Sequence, residues 1–513
     1  MALARAHSVA LVGVKGHLIE VEADIAQGLP ATILVGLPDT ALREARDRIR
    51  AAIVNSGEKW PQSKITVGLS PASLPKKGSG FDVAIAIAIL AAASALPVSS
   101  PAGIMFLAEL GLDGCLRPVP GVLPAVVAAM AGGLETVVVA VGNAAEAALV
   151  PGVRVITAGS LAEVAMWLRG GPAPAPASPP DQPGAAPAPE PAIGHKDLAE
   201  VLGQSEARKA VEICAAGGHN LSLLGPPGAG KTMLAERLPT ILPRLEPAAA
   251  LEVTSIHSVA GTLPDSGGLM TDPPFCAPHH TASKAAIVGG GSGIIRPGAA
   301  SLAHRGVLFL DEAPEFQRDV LDALRQPLEA GEVVIARSAM CATFPARFTL
   351  VLAANPCPCA KSSSGGAGCG CSPATKRRYL GRLSGPLLDR VDVKVQLLPV
   401  NRREMLYDQR FIETSAVVAE RVAAARERMA RRLSGTPWRL NAEIPGAELR
   451  RSFAPQPGAV RPLERAMELG QVSARGADKI VRVAWSVADL AGKPRPCADE
   501  INVAVSLWLG VSR

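Results

Sequence analysis

Aromatic side chains are scarce: nine Phe, five Trp and two Tyr serve 513 residues. Cores must therefore be built from Ala, Val, Ile and Leu, and little surface is left for stacking the bases of single-stranded nucleic acid. Charged residues make up only 19%, with a net charge of +6, a balance that permits nucleic-acid binding without requiring it. Long apolar runs are missing too. The longest, Val83 to Val98, is short for a bilayer span, carries Pro97 and reads as a buried helix. The opening stretch "MALARAHSVALVGVKG" is broken by Gly13 and Lys15, so it does not read as a targeting segment, and no membrane contact is expected. Nine cysteines in such a chain fit a reducing, cytoplasmic setting, where a cysteine cluster reads as metal-binding or structural and not as disulfides.

What is abundant is proline, and it is concentrated. Between Pro172 and Ala192 nine of 21 residues are proline and two are charged. Such a stretch cannot bury a core and favours an extended spacer of up to about 60 Å. It divides the chain into residues 1–170, a linker at 171–192, and the remainder. The first part alternates strand signals ("SVALVGV", "LIEVEADI", "ATILVGL", "KITVGL", "GIMFLAEL", "ETVVVAV") with helical ones at Thr40–Ser56 and Phe81–Ala95, giving an α+β or α/β domain. Residues 193–400 read as a doubly wound parallel sheet with strands "NLSLLG", "GVLFLD" and "FTLVLAA". From 401 to 513 the pattern becomes helical and basic, with five arginines between Arg421 and Arg432. The fold class is multidomain α/β with an all-α end.

Chemistry is concentrated in three stretches. In "LLGPPGAGKT", Gly225, Pro226, Pro227, Gly228, Ala229, Gly230, Lys231 and Thr232 follow a strand and precede a helix. Glycines let backbone N–H groups turn inward around phosphates, Lys231 reaches the β/γ oxygens, and Thr232 offers its hydroxyl to Mg²⁺. In "GVLFLDEAPEF" four apolar residues end in Asp311 and Glu312, the first for the Mg²⁺ shell and the second to activate water. In "TLVLAANP" a further strand delivers Asn355, whose amide could orient that water or touch the γ-phosphate. Arg390 in "LSGPLLDRVD" and Arg475 in "VSARGADKIVRVAW" suit the charge that develops on a transferred phosphoryl group, although a lone arginine is more often a solvated one.

These stretches, with "APHHTAS", "PGAASLAHRGVLFLDEAPEF", "ANPCPC", "RLSGPLLDRVDV" and "SARGADKIVRVAWSVADL", resemble the ComM/YifB family of magnesium-chelatase-like AAA+ ATPases over essentially the whole length. The resemblance implies an AAA+ core, a C-terminal helical lid and a hexameric ring. It implies Lys231, Thr232, Asp311 and Glu312 as Walker elements, Asn355 as sensor 1, Arg390 as an arginine finger on a neighbour's ATP, and Arg475 as the sensor 2 arginine. Residues 331–347, "GEVVIARSAMCATFPAR", would form a hairpin lining the pore. The implied activity is an ATP-driven DNA helicase or branch-migration motor in homologous recombination or natural transformation. Its partner would be single-stranded or branched DNA. Two rivals stay open: the ATPase subunit of a magnesium-chelatase-type metal-insertion enzyme, and a regulatory ring without motor activity.

The N-terminal stretches "LPKKGSGFDVAIAIAIL" and "AELGLDGCLRPVPGV" resemble the Lon-protease type of domain, of the ribosomal S5 domain 2 kind. The serine position falls at Gly80, with Ser79 beside it, and Gly121 to Met130 contains no lysine. A Ser–Lys pair needs both members, so proteolysis is disfavoured. Cys357, Cys359, Cys369 and Cys371 are the right number of soft ligands for tetrahedral Zn²⁺, or a cysteine-rich loop without metal. His279 and His280 carry no assigned role, and the arginines of 421–432 read as a solvated helix face or a phosphate contact.

Overall fold

A computed structural model describes residues 2–36, 39–74, 76, 78–174, 196–264, 268–291, 295–337, 340–361, 369–400 and 412–510. Most of the proline-rich stretch, the first residues after 400 and the hairpin tip lie outside the described residues. The N-terminal sheet holds seven strands. These are β1 (Ala2–Val12), β2 (Lys15–Ala26), β3 (Ala31–Val35), β4 (Lys64–Ser70), β5 (Ile104–Leu107), β8 (Thr136–Ala140) and β9 (Arg154–Ala158), in spatial order β3-β4-β2-β1-β5-β8-β9. A small ribbon, β6 (Glu109–Leu110) with β7 (Leu116–Arg117), sits beside it. In β2 the period of two is plain: Ile19, Val21 and Ala23 are buried while Glu20, Glu22 and Asp24 alternate with them.

Helices α1 (Asp39–Asn55), α2 (Asp82–Ala92), α3 (Val122–Ala131) and α4 (Leu161–Leu168) cover the sheet. Every residue of α2 is buried, as its unbroken apolar composition requires. Burial raises the pKa of Asp82 at its start, and Arg48, donating at 2.6 and 3.0 Å, opposes that shift. Nearby, the Ser79 hydroxyl donates to Glu109, while the Lys76 ammonium is spent on the carbonyls of Pro71 and Leu74.

The second sheet contains β10 (Leu221–Leu224), β11 (Phe275–Cys276), β12 (Val307–Leu310), β15 (Thr349–Ala354) and β16 (Val393–Gln396) in the order β11-β12-β15-β10-β16. All its pairings are parallel, and the central strands β12 and β15 read as apolar runs because both their faces are covered, whereas β10 and the edge strand β16 alternate. Between β12 and β15 stands an antiparallel hairpin of β13 (Glu332–Arg337) and β14 (Met340–Pro345), within the stretch where the family resemblance implies one. The helices used below are α5 (Ser205–Gly217), α6 (Lys231–Arg237), α7 (Pro247–Ala260), α8 (Arg325–Ala330), α9 (Ser415–Arg432), α10 (Ala474–Leu490) and α11 (Ala498–Leu509). No helix is long and apolar enough to cross a membrane among the described residues.

The basic run of α9 is only in part a solvated face: Arg428 and Arg431 are exposed, whereas three of its arginines are internal ties. Arg421 bridges Glu212 and Glu413, Arg426 donates to the Ala215 carbonyl at 2.9 Å, and Arg432 joins Asp489 and Asn441 at 2.7 Å. Burial pulls Arg426 down to about 10. Arg432 also stacks on Trp485 at 4.1 Å. The guanidinium fork suits such sites because it caps carbonyls and carboxylates from a fixed plane.

The N-terminal module touches the second sheet's hairpin. Val12 and Val14, flanking the β1–β2 turn, pack with Val259 and Ile335 against Ile295, Ala342 and Phe344. Gly13 in that turn has φ +65°, and a Cβ there would come within 2.5 Å of the Thr343 carbonyl oxygen. The Gly121 N–H donates to the Ser258 carbonyl at 3.1 Å, and the Ser258 hydroxyl donates to Glu146, whose pKa burial raises. Gly13→Ala should therefore loosen this contact by about 1–3 kcal/mol, through left-handed strain plus the clash. Gly57→Ala, equally left-handed (φ +81°) but with open space around it, serves as the control. Hydrogen exchange at Glu332–Pro345 should rise in the first variant only; unchanged protection in both would mean the contact does not form.

Candidate active site

The carboxyl end of the second sheet gathers three strand ends. β10 runs into the Gly225–Thr232 loop, and Gly228 and Gly230 take φ of +77° and +89° with nothing near their would-be Cβ atoms. Gly225 is needed for a different reason: a Cβ there would meet Leu397 at 2.9 Å, where the chain leaving β16 crosses the loop. Gln204 clamps the same place, its amide donating to the carbonyls of Ala229 at 3.1 Å and Leu398 at 2.8 Å.

Lys231 opens α6 and is only 8% exposed. Its ammonium donates to the carbonyls of Gly225 (2.8 Å) and Pro226 (3.0 Å) and to Asn355 Oδ1 (3.0 Å). Burial lowers its pKa, and the charges of Asp311 and Glu312 pull the other way. Thr232 Oγ1 donates to Asp311 Oδ2 at 3.0 Å, so a hydroxyl and a carboxylate face one spot suited to a hard divalent cation. Glu312 takes φ 49°, ψ 41°, a backbone state rare for a non-glycine residue and typical of functional positions. Its N–H donates to Asp311 Oδ1 at 2.9 Å, and its carboxylate is half-exposed, open to a water.

Lys231, Thr232, Asp311, Glu312 and Asn355 are thus brought together. His279 and His280, which carried no assignment, line the same cleft with ring centroids 4.1 Å apart. His280 Nδ1 stands 3.5 Å from Glu312. Nothing in the local pattern around Gln204 or the histidine pair signals this placement, because their partners are remote in sequence.

Arg390 and Arg475 are not in this cluster. Arg390 lies just before β16, and its carbonyl accepts from the side chain of Asn220, the residue preceding β10, at 2.9 Å. It therefore stands at the amino end of the parallel strands, opposite the Lys231 loop. Arg475 lies in the first turn of α10. One turn later Lys479 bonds Asp392 at 2.7 Å and the Val391 carbonyl at 3.3 Å, which brings Arg475 to the same end as Arg390.

The sulfurs of Cys357, Cys359, Cys369 and Cys371 all lie within 4.8 Å of one another, directly after Asn355. Tetrahedral Zn²⁺ with Zn–S bonds of about 2.3 Å needs sulfurs about 3.8 Å apart, so the set fits that ion.

Lys231→Ala should abolish tight ATP binding, because it removes the cation facing the phosphates. Glu312→Gln should retain binding and lose turnover by about two orders of magnitude or more. Nucleotide affinity and phosphate release measured on both would check this; undiminished turnover in Glu312→Gln would remove the role given to that carboxylate.

Comparison with known proteins accounts for the arrangement. The family described as magnesium chelatase, subunit ChlI, matches residues 197–405, the one described as subunit ChlI of Mg-chelatase matches 21–143, and its C-terminal family matches 412–507. The Mycobacterium tuberculosis protein Rv2897c is 52% identical over 99% of this chain and 98% of its own. Competence protein ComM of Haemophilus influenzae is 42% identical over 96% of this chain and 95% of its own. YifB of Escherichia coli is 41% identical over 96% and 94%. With that coverage and those families, the chain belongs to the ComM/YifB family of magnesium-chelatase-like AAA+ proteins.

Proposed function

We propose that this protein is an ATP-driven motor that works on DNA as a cytoplasmic hexameric ring, in helicase or branch-migration steps of recombination or natural transformation. The carrying observation is the split between Lys231, Thr232, Asp311, Glu312 and Asn355 at one end of a parallel sheet and Arg390 with Arg475 at the other. A phosphate site whose cations lie across the sheet is completed by a second copy, and ring closure satisfies every copy at once. In such a site the Lys231 loop would cradle ATP, Thr232 and Asp311 would hold Mg²⁺, and Glu312 would take a proton from the attacking water. Asn355 would fix that water's position, and Arg390 and Arg475 would approach from the neighbour. Bound Mg²⁺ would neutralise charge on the phosphate oxygens.

DNA as the partner rests on the competence role named for the Haemophilus relative and on the exposed arginines of the hairpin, Arg337 and Arg347. The chelatase families that match all three parts support a second reading, metal insertion. The thiolate set would hold one structural Zn²⁺ and brace the loop after Asn355, with no part in hydrolysis itself.

Two measurements follow. ATPase activity should rise with branched or single-stranded DNA at low salt and decline steeply as salt increases. Arg337→Ala should keep basal hydrolysis, lose stimulation and flatten the salt slope of DNA binding by about one unit. A rate indifferent to DNA, in protein shown to assemble with ATP, would leave the metal-insertion reading standing. Metal analysis should find about one zinc per chain, lost in Cys357→Ser/Cys369→Ser; protein prepared without chelators and free of zinc would rule the ion out.

A further inference from the structure

We infer that Arg325 is a third arginine presented, with Arg390 and Arg475, to the γ-phosphate of a nucleoside triphosphate held by a neighbouring copy, and that Glu329 neutralises this set until the phosphate displaces it. The inference rests on the reading that the site is completed in trans. Arg325 and Glu329 are four residues apart on α8, so they stand one turn apart on one face. The Glu329 carboxylate is ion-paired with Arg390. That contact places Arg325 beside Arg390, while the Lys479 contacts to Val391 and Asp392 bring Arg475 in from α10. The charges are mutually felt: burial lowers the pKa of Arg390, and the charges of Arg325 and Arg475 lower it further.

None of the three can serve its own subunit's nucleotide. β10 is four residues long, about 13 Å, and separates the Arg390 end of the sheet from the Lys231 loop. Among the described residues, Glu329 is the one carboxylate paired to any of the three. Three guanidinium groups against one carboxylate leave an excess of positive charge that a γ-phosphate matches. Glu329 is 58% exposed, against 21% for Arg390, so its pairing is weak and readily exchanged for a multiply charged, charge-assisted partner.

The test uses mixed full-length subunits, with mixing verified. Arg325→Ala alone should keep ATP affinity, since Lys231 is intact, and lose turnover at least tenfold. Mixed with Lys231→Ala subunits it should regain activity, because the Lys231→Ala copy supplies all three arginines to an intact loop. Mixed with Arg390→Ala subunits it should regain none, because both defects lie on one face and no interface is whole. Arg325 is exposed, so truncation should not unfold the chain, and Arg325→Lys should restore part of the rate. Glu329→Gln should reach half-maximal ATPase at a severalfold lower protein concentration. Wild-type turnover in Arg325→Ala, or recovery with Arg390→Ala subunits, would overturn the role of Arg325. An unshifted concentration dependence in Glu329→Gln would overturn that of Glu329. Arg390→Ala mixed with Lys231→Ala separates the two levels: if that pair also fails to recover, the site is not completed in trans at all.

Discussion

Lys231 is a buried ammonium, and the three oxygens that satisfy it dictate the geometry around it. Two are carbonyls of its own loop; the third belongs to Asn355, more than a hundred residues later. For that amide to arrive, β15 must lie beside β10 and run parallel to it, with Leu224 level with Ala354. The Gly225 N–H extends the pairing by donating to the Ala354 carbonyl at 3.1 Å. β12, on the far side of β15, then brings Asp311 to the Thr232 hydroxyl. The strand order β12-β15-β10 is thus what one desolvated lysine and its carboxylate neighbours require. The lysine's lowered pKa records what that burial costs its charge.

The amino end of the same sheet obeys a second constraint. Asp392 accepts from the Asn220 N–H at 3.0 Å and from Lys479, so the helical region is tied to the strands at the residue pair that carries Arg390. His219 beside it is fully buried, and burial pushes its pKa down to about 4, so it stays neutral near pH 7. In that form its Nε2 shares a hydrogen bond of 2.7 Å with Ser486 of α10. Helix α10 and the Arg390 turn are thereby held as one piece. Any movement of the helical region relative to the sheet must carry Arg475 and Arg390 together or break the Lys479–Asp392 pair.

Much of this was legible in the chain, because the signals were local. A strand, a glycine loop and a helix in register identify the Lys231 site; four apolar residues ending in two acids identify β12; the strand signal of "LIEVEADI" identifies β2. What stayed hidden depends on partners distant in sequence. Nothing near Arg426 indicates that it will cap the Ala215 carbonyl, so a run of arginines reads as a solvated face when three of the five are internal ties. Gln204 and His280 are ordinary residues until the fold brings Ala229 and Glu312 to them. The ends of the sheet to which Arg390 and Arg475 belong follow from strand direction, which composition does not carry.

The hairpin of β13 and β14 shows how local and remote constraints meet. Its own pairing, Glu332 with Pro345 through Arg337 with Met340, is self-sufficient as a ribbon, but a two-stranded ribbon is marginal in water. Its buried face is completed from outside, by Val12 and Val14 of the N-terminal module and Val259 of α7. Gly13 lets the β1–β2 turn approach the Thr343 carbonyl closely enough to close that cluster. Displacing the hairpin along its axis would expose Phe344 and Ala342 and strand the valines opposite them. Burial of such side chains contributes about 1.5–3 kcal/mol each for the larger ones. Any displacement of the hairpin would therefore either take the N-terminal module with it or be opposed by that burial, so the module is packed to the hairpin even though a long proline-rich stretch joins it to the rest of the chain.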